Sequence, residues 1–224
     1  MNINDIAEVP TIKGCPLEMI FERQQALHDK YKDIEVKNKC GYYMVWAHGF
    51  DIDDPRSQYY VKDMVWRVTE ELAEASEAYI KRHYDHGKEE MADAFHFFIE
   101  LCIVLGLTPN RLVDMSLYQE PKDRLKALFI AIPIRNSVEI HMELLSIHMW
   151  SVVETLGLAC NCLKNKPWKQ TQMETDTVLM FKYIKSALKY FAELCGYLGI
   201  SEHDLFETYF KKSEVNKFRQ RSYY

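Results

Sequence analysis

Two stretches of the chain combine strong helix formers with acidic side chains spaced three residues apart. Residues 66–77 contain Glu71 and Glu74, and Glu90 and Asp93 follow after an interval of fifteen residues. Neither stretch contains Gly or Pro, so both are predicted to be helices. Because residues three apart share a helix face, the acids of each pair project from one side. With only 8 Gly and 7 Pro in 224 residues, the chain is predicted to be all-α.

The second acidic pair continues into an apolar stripe. Phe97, Leu101 and Val104 follow Glu90 and Asp93 at helical spacing, so these acids lie on a line that enters the core. A buried carboxylate is costly unless it is paired or bound to a metal. Four carboxylates without a soft ligand suit Mg²⁺, with Mn²⁺ as the alternative. For the first helix alone, an ordinary solvated acidic face remains the alternative interpretation.

Composition narrows the classes of function. The net charge of -5 gives no reason to expect nonspecific nucleic-acid binding, and no apolar run is long enough to span a bilayer. Met1–Pro10 carries acids and lacks the basic region of a signal peptide. The cysteines show no metal or disulfide spacing, which predicts a cytoplasmic protein with reduced core thiols. The thiols in apolar helical stretches are Cys102, Cys160, Cys162 and Cys195.

Capping residues, Pro and Gly divide the chain into helices. A loop is predicted over residues 36–53, and a linker over residues 119–135 joins two halves. Helices are predicted from Pro16, from Asp54 to about His83, from beyond Gly87 to Gly106, from Thr108, from Asn136 to about Leu163, from Gln172 to Leu198, and from Ser201.

The two halves of the chain resemble each other. Residues 100–108 match residues 193–201, and Trp66 can be aligned with Trp150. This predicts a duplicated helix pair within one domain, residues 1–224. The active repeat covers about residues 16–118, and a degenerate repeat with a C-terminal helix covers residues 136–224. In the degenerate repeat the four acids, Glu71, Glu74, Glu90 and Asp93, are replaced by Thr155, Leu158, Tyr183 and Ser186.

Several motifs together resemble those of a known family. The run Glu70-Glu71-x-x-Glu74, followed by Glu90-x-x-Asp93, is similar to the metal signature of the all-α nucleoside triphosphate pyrophosphohydrolases, the MazG-like superfamily. The segment Ile20–His28 resembles the first-helix motif of its dimeric dUTPase and dCTPase branch. The C-terminal segment from Tyr209 to Gln220, with Tyr223-Tyr224, resembles that branch's closing motif. His28 stands where the branch has Asn, so the resemblance leaves the preferred base open.

The resemblance implies Mg²⁺-dependent hydrolysis of a deoxynucleoside triphosphate, with dUTP as the first candidate. Metal-activated water would attack the α-phosphorus, giving the monophosphate and pyrophosphate. A homodimer is also implied. The implied metal ligands are Glu71, Glu74, Glu90 and Asp93, with Glu70 as a further ligand or a base that orients the water. The implied phosphate contacts are Lys212, Asn216 and Arg219. Gln24 and His28 are predicted to contact the base, with Trp46 as an aromatic wall, although a packed loop is the alternative interpretation of Trp46.

Three alternatives to the dUTPase interpretation remain. A dCTPase or a broader dNTP pyrophosphatase would use the same site. A carboxylate-bridged di-iron protein would use Asp93 with His96, but it needs a second acid–His pair three residues apart. The acids and histidines of the second half, Glu139, His141, Glu143 and His148, offer none at that spacing. The third alternative is a noncatalytic helical interaction module.

Overall fold

The chain forms a bundle of helices in a computed structural model that describes residues 9–114, 123–129, 131–135, 140–166 and 168–221, with side chains described up to residue 217. Among these residues there is no strand, so the all-α prediction is confirmed. The helices are α1 (Pro16–Asn38), α2 (Tyr43–His48), α3 (Pro55–Ile80), α4 (Tyr84–Val104), α5 (Pro109–Leu112), α6 (Arg124–Phe129), α7 (Met142–Asn161), α8 (Thr177–Tyr197) and α9 (Glu202–Arg221).

Several helices begin at the capping residues that the sequence predicts. Asp54 accepts a hydrogen bond from the Arg56 amide at 2.7 Å, and Pro55 occupies the first turn of α3. At α9, the Asp204 amide donates to the Ser201 hydroxyl at 3.1 Å, and the Ser201 amide donates back to the Asp204 carboxylate at 2.9 Å. This reciprocal pair is a capping box, as the sequence predicts.

The prediction of a loop over residues 36–53 is wrong in part. Helix α1 continues to Asn38, and the short helix α2 occupies Tyr43–His48. Glu35 stabilises this turn of the chain, because its carboxylate accepts hydrogen bonds from the Tyr42 amide at 3.2 Å and from the Trp46 indole at 2.7 Å. The sequence pattern did not reveal this long-range use of one carboxylate.

Helix α8 begins at Thr177 rather than at the predicted Gln172. The amides of Met173 and Thr175 donate instead to the side chains of Asn165 and Asp53, both at 2.7 Å. These bonds hold the preceding segment outside the helix. The predicted helix start at Asn136 and the break at Pro167 lie outside the described residues.

The duplicated helix pair predicted from the sequence is confirmed in the packing. Helices α3 and α4 pack against each other, as do α7 and α8, and equivalent positions are buried in both pairs. The equivalent buried pairs are Val68 and Val152, Leu72 and Leu156, Ala75 and Ala159, Ala94 and Ala187, Phe98 and Phe191, and Cys102 and Cys195.

The two copies also end in the same turn. Gly106 after α4 has φ +67°, and Gly199 after α8 has φ +73°. In each turn the next amide returns to a helix carbonyl at 2.8 Å, from Leu107 to Cys102 and from Ile200 to Cys195. Glycine adopts the left-handed conformation that this C-terminal cap requires. The shared geometry supports the alignment of α4 with α8.

The C-terminal helix brings the end of the chain to the acidic helix of the first copy. Helix α9 packs against α4 and α1, and α1 also packs against α4.

All six cysteines are free, and Cys102 and Cys195 are fully buried. Among the helices of the described residues, none is both long and apolar enough to cross a membrane.

Candidate functional site

Three carboxylates meet where α3 packs against α4. Glu71 from α3 and Glu90 and Asp93 from α4 each offer an oxygen, and these three oxygens lie within 4.8 Å of one another. Glu90 is buried, whereas Glu71 and Asp93 are half-buried. The arrangement follows from the helical spacing in the sequence, because the packed faces of two helices carry the acids toward each other. A hard divalent cation could be held here.

The electrostatics of the cluster fit a cation. Burial raises the pKa of Glu71 to about 8, helped by a hydrogen bond with Glu90 and by the charges of Asp93, Glu90 and Glu74. Burial and three neighbouring carboxylates both disfavour the ionised form of Glu71. A divalent ion would supply the missing positive charge, so the residues fit the predicted metal.

Lys212 from α9 supplies part of that positive charge. Its Nζ lies 2.6 Å from Asp93 Oδ2 and 3.7 Å from Glu89 Oε2. Burial alone would lower the pKa of Lys212, but the neighbouring carboxylates outweigh burial and raise the pKa above its usual value. On the other side, His86 Nδ1 lies 3.0 Å from Glu90. Lys212 is therefore placed at the edge of the acidic cluster, and its role as a phosphate contact stays a prediction.

The structure places the other two predicted acids differently. Glu74 is exposed and lies outside the three-acid cluster, although its charge still raises the pKa of Glu71. Glu70 lies on an outer face of α3, where its carboxylate accepts hydrogen bonds from the Trp66 indole at 2.9 Å and from Arg67 at 3.3 Å. These contacts do not bring Glu70 to the cluster, and its catalytic role remains a prediction.

Two of the residues predicted to contact the base line one cavity at the C-terminal end of α4. His28 and Trp46 are among its lining residues, and their rings meet edge to face with centroids 5.1 Å apart. The cavity has a volume of about 220 Å³, with an apolar wall that includes Phe50, Ile103 and Val104. This volume is below the usual range for whole ligands and suits a single ring.

Gln24, the third predicted base-reading residue, lies behind this cavity in a buried polar network. Its amide nitrogen donates to Glu100 at 3.0 Å, and its amide oxygen accepts from the Tyr209 hydroxyl at 2.8 Å. Glu100 also accepts from the Tyr60 hydroxyl at 3.0 Å and contacts His28 Nδ1 closely. In the sequence, Glu100 is notable only as the first residue of the segment that aligns the two repeats. Its position seven residues after Asp93, on the same helix face, was the available signal.

His96 links this network to the acidic helix. Its Nδ1 lies 2.9 Å from the Gln24 amide oxygen, its Nε2 lies 3.2 Å from the Tyr209 carbonyl, and its ring stacks on the Tyr209 ring at 3.9 Å. Complete burial lowers the pKa of His96 to about 3. Both ring nitrogens therefore face α1 and α9 partners, and the di-iron alternative loses its histidine ligand.

The rest of the predicted phosphate-binding face is only partly described. Asn216 is half-buried one turn after Lys212 on α9. The Arg219 side chain lies outside the described residues, and so do Tyr223 and Tyr224. A larger cavity of about 680 Å³, between α8 and the segments carrying Leu112 and Ile132, contains none of the clustered acids. Its size therefore does not make it the candidate site.

Comparison with known proteins gives one match. The dUTPase family model matches residues 76–224, about two thirds of the chain. This span includes Glu90, Asp93 and Lys212, whereas Glu71 and the residues of α1 and α2 precede it. No curated protein and no solved structure matches the chain. The all-helical fold fits the same family, and the chain therefore belongs to the all-α dUTPase family.

Proposed function

We propose that this protein hydrolyses dUTP to dUMP and pyrophosphate with Mg²⁺, through attack of water at the α-phosphorus. Membership of the dUTPase family supports hydrolysis of a deoxynucleoside triphosphate in general. The observation that carries the finer proposal is the convergence of Glu71, Glu90 and Asp93 within 4.8 Å. Carboxylates and a triphosphate repel each other, so such a cluster suits a nucleotide only with divalent cations between them.

The three clustered acids would hold the ion, with Glu74 as the predicted fourth ligand. When bound, Mg²⁺ (or Mn²⁺) lowers the pKa of water and neutralises the phosphate charge. Glu71 retains a proton near neutral pH, and this proton would leave when its carboxylate becomes a ligand. Glu70 remains the predicted base that orients the water.

The residues of α9 would hold the phosphates. Lys212 lies beside Asp93, so a small movement of its flexible side chain would bring the ammonium from the carboxylate to a phosphate oxygen. Asn216 follows one turn later, and Arg219 is the third predicted phosphate contact on this helix. A guanidinium can grip two phosphate oxygens at once.

The distance between the acids and the cavity fits one nucleotide. Asp93 and Val104 are eleven residues apart on α4, which corresponds to about 16 Å along the helix axis. An extended nucleoside triphosphate spans a comparable distance. We therefore place the phosphates at the acidic cluster and the base at His28 and Trp46.

We also propose a cytoplasmic homodimer. Free cysteines suit a reducing compartment. Several large apolar side chains are exposed on α7 and α3, two helices that pack against each other, and exposed apolar surface of this kind suits a protein interface. They include Ile147 (59% exposed), Trp150 (62%) and Trp66 (59%). A second copy of the chain would cover this surface.

The test is pyrophosphate release from dUTP, dCTP, dTTP, dATP and dGTP with Mg²⁺. We expect turnover of dUTP, and we expect Asp93→Asn to lower kcat by at least about 100-fold because a ligand charge is lost. Glu77→Gln is the matched control, since Glu77 is an exposed acid of α3 paired with Lys81 outside the cluster. Preferential turnover of dCTP would support the catalytic site but show that cytosine is the preferred base. If no nucleotide is hydrolysed, the enzyme hypothesis is wrong and the noncatalytic helical module is the remaining alternative.

A further inference from the structure

Glu100 contacts the Nδ1 side of the His28 ring and does not itself line the cavity. We propose that Glu100 is a positioning residue that fixes the His28 tautomer, with the proton on Nδ1 and a free acceptor at Nε2. This tautomer selects a base that carries a proton at N3, as uracil does, over cytosine. The proposal rests on the proposed function, because it places the base in the cavity lined by His28 and Trp46.

The buried network fixes the orientation of the Gln24 amide. The Tyr209 hydroxyl donates to the Gln24 oxygen at 2.8 Å, and His96 Nδ1 lies 2.9 Å from the same oxygen. A carboxylate can only accept, so the amide nitrogen faces Glu100, 3.0 Å away, and the amide oxygen faces Tyr209 and His96. Turning the amide over would set its oxygen against the Glu100 carboxylate, so two acceptors would face each other without a proton between them.

Glu100 is consequently surrounded by donors. One carboxylate oxygen accepts from the Gln24 amide, and the other accepts from the Tyr60 hydroxyl at 3.0 Å. This second oxygen is also the one that contacts His28 Nδ1. A carboxylate can only accept, so the shared proton belongs to Nδ1 of His28. In a neutral imidazole the other nitrogen, Nε2, is then an acceptor.

The Nε2 atom of His28 is the acceptor through which this ring can contact a base in the cavity, whose other polar lining residues are Gln25, Asp29 and Lys32. Within the described residues no hydrogen-bond partner contacts Nε2, although the His28 side chain as a whole is buried and lines the cavity. Uracil presents an N–H donor at N3, which matches this acceptor. Cytosine presents a bare N3, so two acceptors would face each other without a proton between them.

Glu100→Gln is expected to reverse the tautomer. The new amide can set its oxygen toward the Gln24 NH₂ group and its own NH₂ toward His28 and Tyr60. In the opposite orientation two NH₂ groups would face each other, because the Tyr209 hydroxyl donates to the Gln24 oxygen and so keeps the Gln24 NH₂ group toward residue 100. His28 would then accept at Nδ1 and carry its proton at Nε2, which matches the N3 of cytosine.

The first experiment is nitrogen NMR of the His28 ring in the full-length protein at about pH 8.5, where a free imidazole is neutral. His28→Asn identifies the resonance. We expect a protonated Nδ1 and a bare Nε2 in the unmodified protein, and the reverse in Glu100→Gln. A proton on Nε2 in the unmodified protein would overturn the proposal, and this spectrum needs no variant to fold other than the one used for assignment.

The second experiment compares kcat/KM for dUTP and dCTP. We expect the dUTP-to-dCTP ratio to fall by about 10- to 100-fold in Glu100→Gln, the effect of one mispaired buried hydrogen bond. Tyr60→Phe is the matched control, because it removes a donor to the same carboxylate oxygen without supplying a donor to His28. Tyr60→Phe should leave the dUTP-to-dCTP ratio of kcat/KM unchanged, even if turnover of both nucleotides falls. An unchanged ratio in Glu100→Gln, or the same change in both variants, would contradict the proposal.

These two readouts separate this inference from the proposed function. If the protein hydrolyses no nucleotide, the proposed function fails while the tautomer is still decided by NMR. If it hydrolyses dUTP and the spectrum shows Nε2 protonated, the proposed function stands and the role of Glu100 fails.

Discussion

Lys212 Nζ lies 2.6 Å from Asp93 Oδ2, so a charge-assisted hydrogen bond joins the C-terminal helix to the acidic helix. His96, one turn after Asp93, stacks on Tyr209, one turn before Lys212. The two helices are thus joined at consecutive turns, once by an ion pair and once by packed rings. This pairing places the lysine at the site where both a cation and a triphosphate are proposed to bind.

Removing the charge of Lys212 should strengthen cation binding and weaken turnover. Lys212 and a divalent cation compete for the same carboxylates, so Lys212→Met should lower the Kd for Mg²⁺ in the absence of nucleotide. The same change removes a phosphate contact, and kcat/KM should fall by about 10- to 100-fold. Calorimetric titration with Mg²⁺ and steady-state kinetics measure the two effects.

Lys211→Met is the control for this prediction, because Lys211 pairs with Glu207 on another face of α9. It should leave both quantities close to those of the unmodified protein. Weaker Mg²⁺ binding in Lys212→Met would show that the lysine does not compete with the cation.

The metal-free protein should lose stability as the pH rises from about 5 to about 8.5. Burial raises the pKa of Glu71 from 4.5 to about 8, so in this window the native state holds a proton that the unfolded state has released. Stability therefore falls with rising pH. Thermal unfolding in EDTA should show this decline, and Glu71→Gln should flatten it.

Mg²⁺ should remove the decline in the unmodified protein, because a bound cation stabilises the ionised carboxylate. Glu77→Gln should behave like the unmodified protein, since Glu77 is an exposed acid outside the cluster. A decline of equal size in Glu71→Gln would assign the effect to other groups.

His96 should make the protein sensitive to acid. Burial lowers the pKa of His96 to about 3, so between about pH 6.5 and 3 the unfolded state binds a proton that the native state lacks. Stability contributed by the neutral ring is present above the unfolded pKa and is lost as the pH falls. His96→Phe keeps the stack on Tyr209 and should reduce the acid dependence.

The same substitution should lower stability at neutral pH by about 1–3 kcal/mol, because the Gln24 oxygen loses a buried partner. Urea unfolding at pH 7 and at pH 5 measures both effects, and the difference between variants should shrink at the lower pH. A constant difference would show that the titration of His96 does not contribute.

The parts of the fold that follow from local pattern were predictable. Helical spacing placed Glu90 and Asp93 on one face, and the repeat at Gly106 and Gly199 identified the duplicated helix pair. Capping boxes and Pro residues located several helix starts. The spacing and the capping boxes depend on residues within one or two turns of each other, and the repeat depends on sequence similarity, so the sequence alone contains them.

The parts that depend on distant contacts were not predictable. The Glu35 carboxylate accepts a hydrogen bond from the Trp46 indole and so fixes the path of the chain around α2. The Asn165 side chain accepts from the Met173 amide, so α8 begins later than predicted. The surroundings of Glu100 were not predictable, because its hydrogen-bond partners lie on α1 and α3, 76 and 40 residues away in the chain. Whether an acid is solvated or receives buried donors is decided by tertiary packing.

A charge on the exposed apolar face of α7 should dissociate the proposed dimer. Trp150 is 62% exposed, so Trp150→Glu should change the stability of the folded monomer little. In a dimer interface the same charge would be buried and would strongly weaken association. We expect the molar mass from light scattering to fall from two chains to one. Trp168→Ser is the control, because Trp168 is also highly exposed but lies beside Lys166 in another part of the surface. A monomeric unmodified protein, or a dimer unaffected by Trp150→Glu, would contradict this interface.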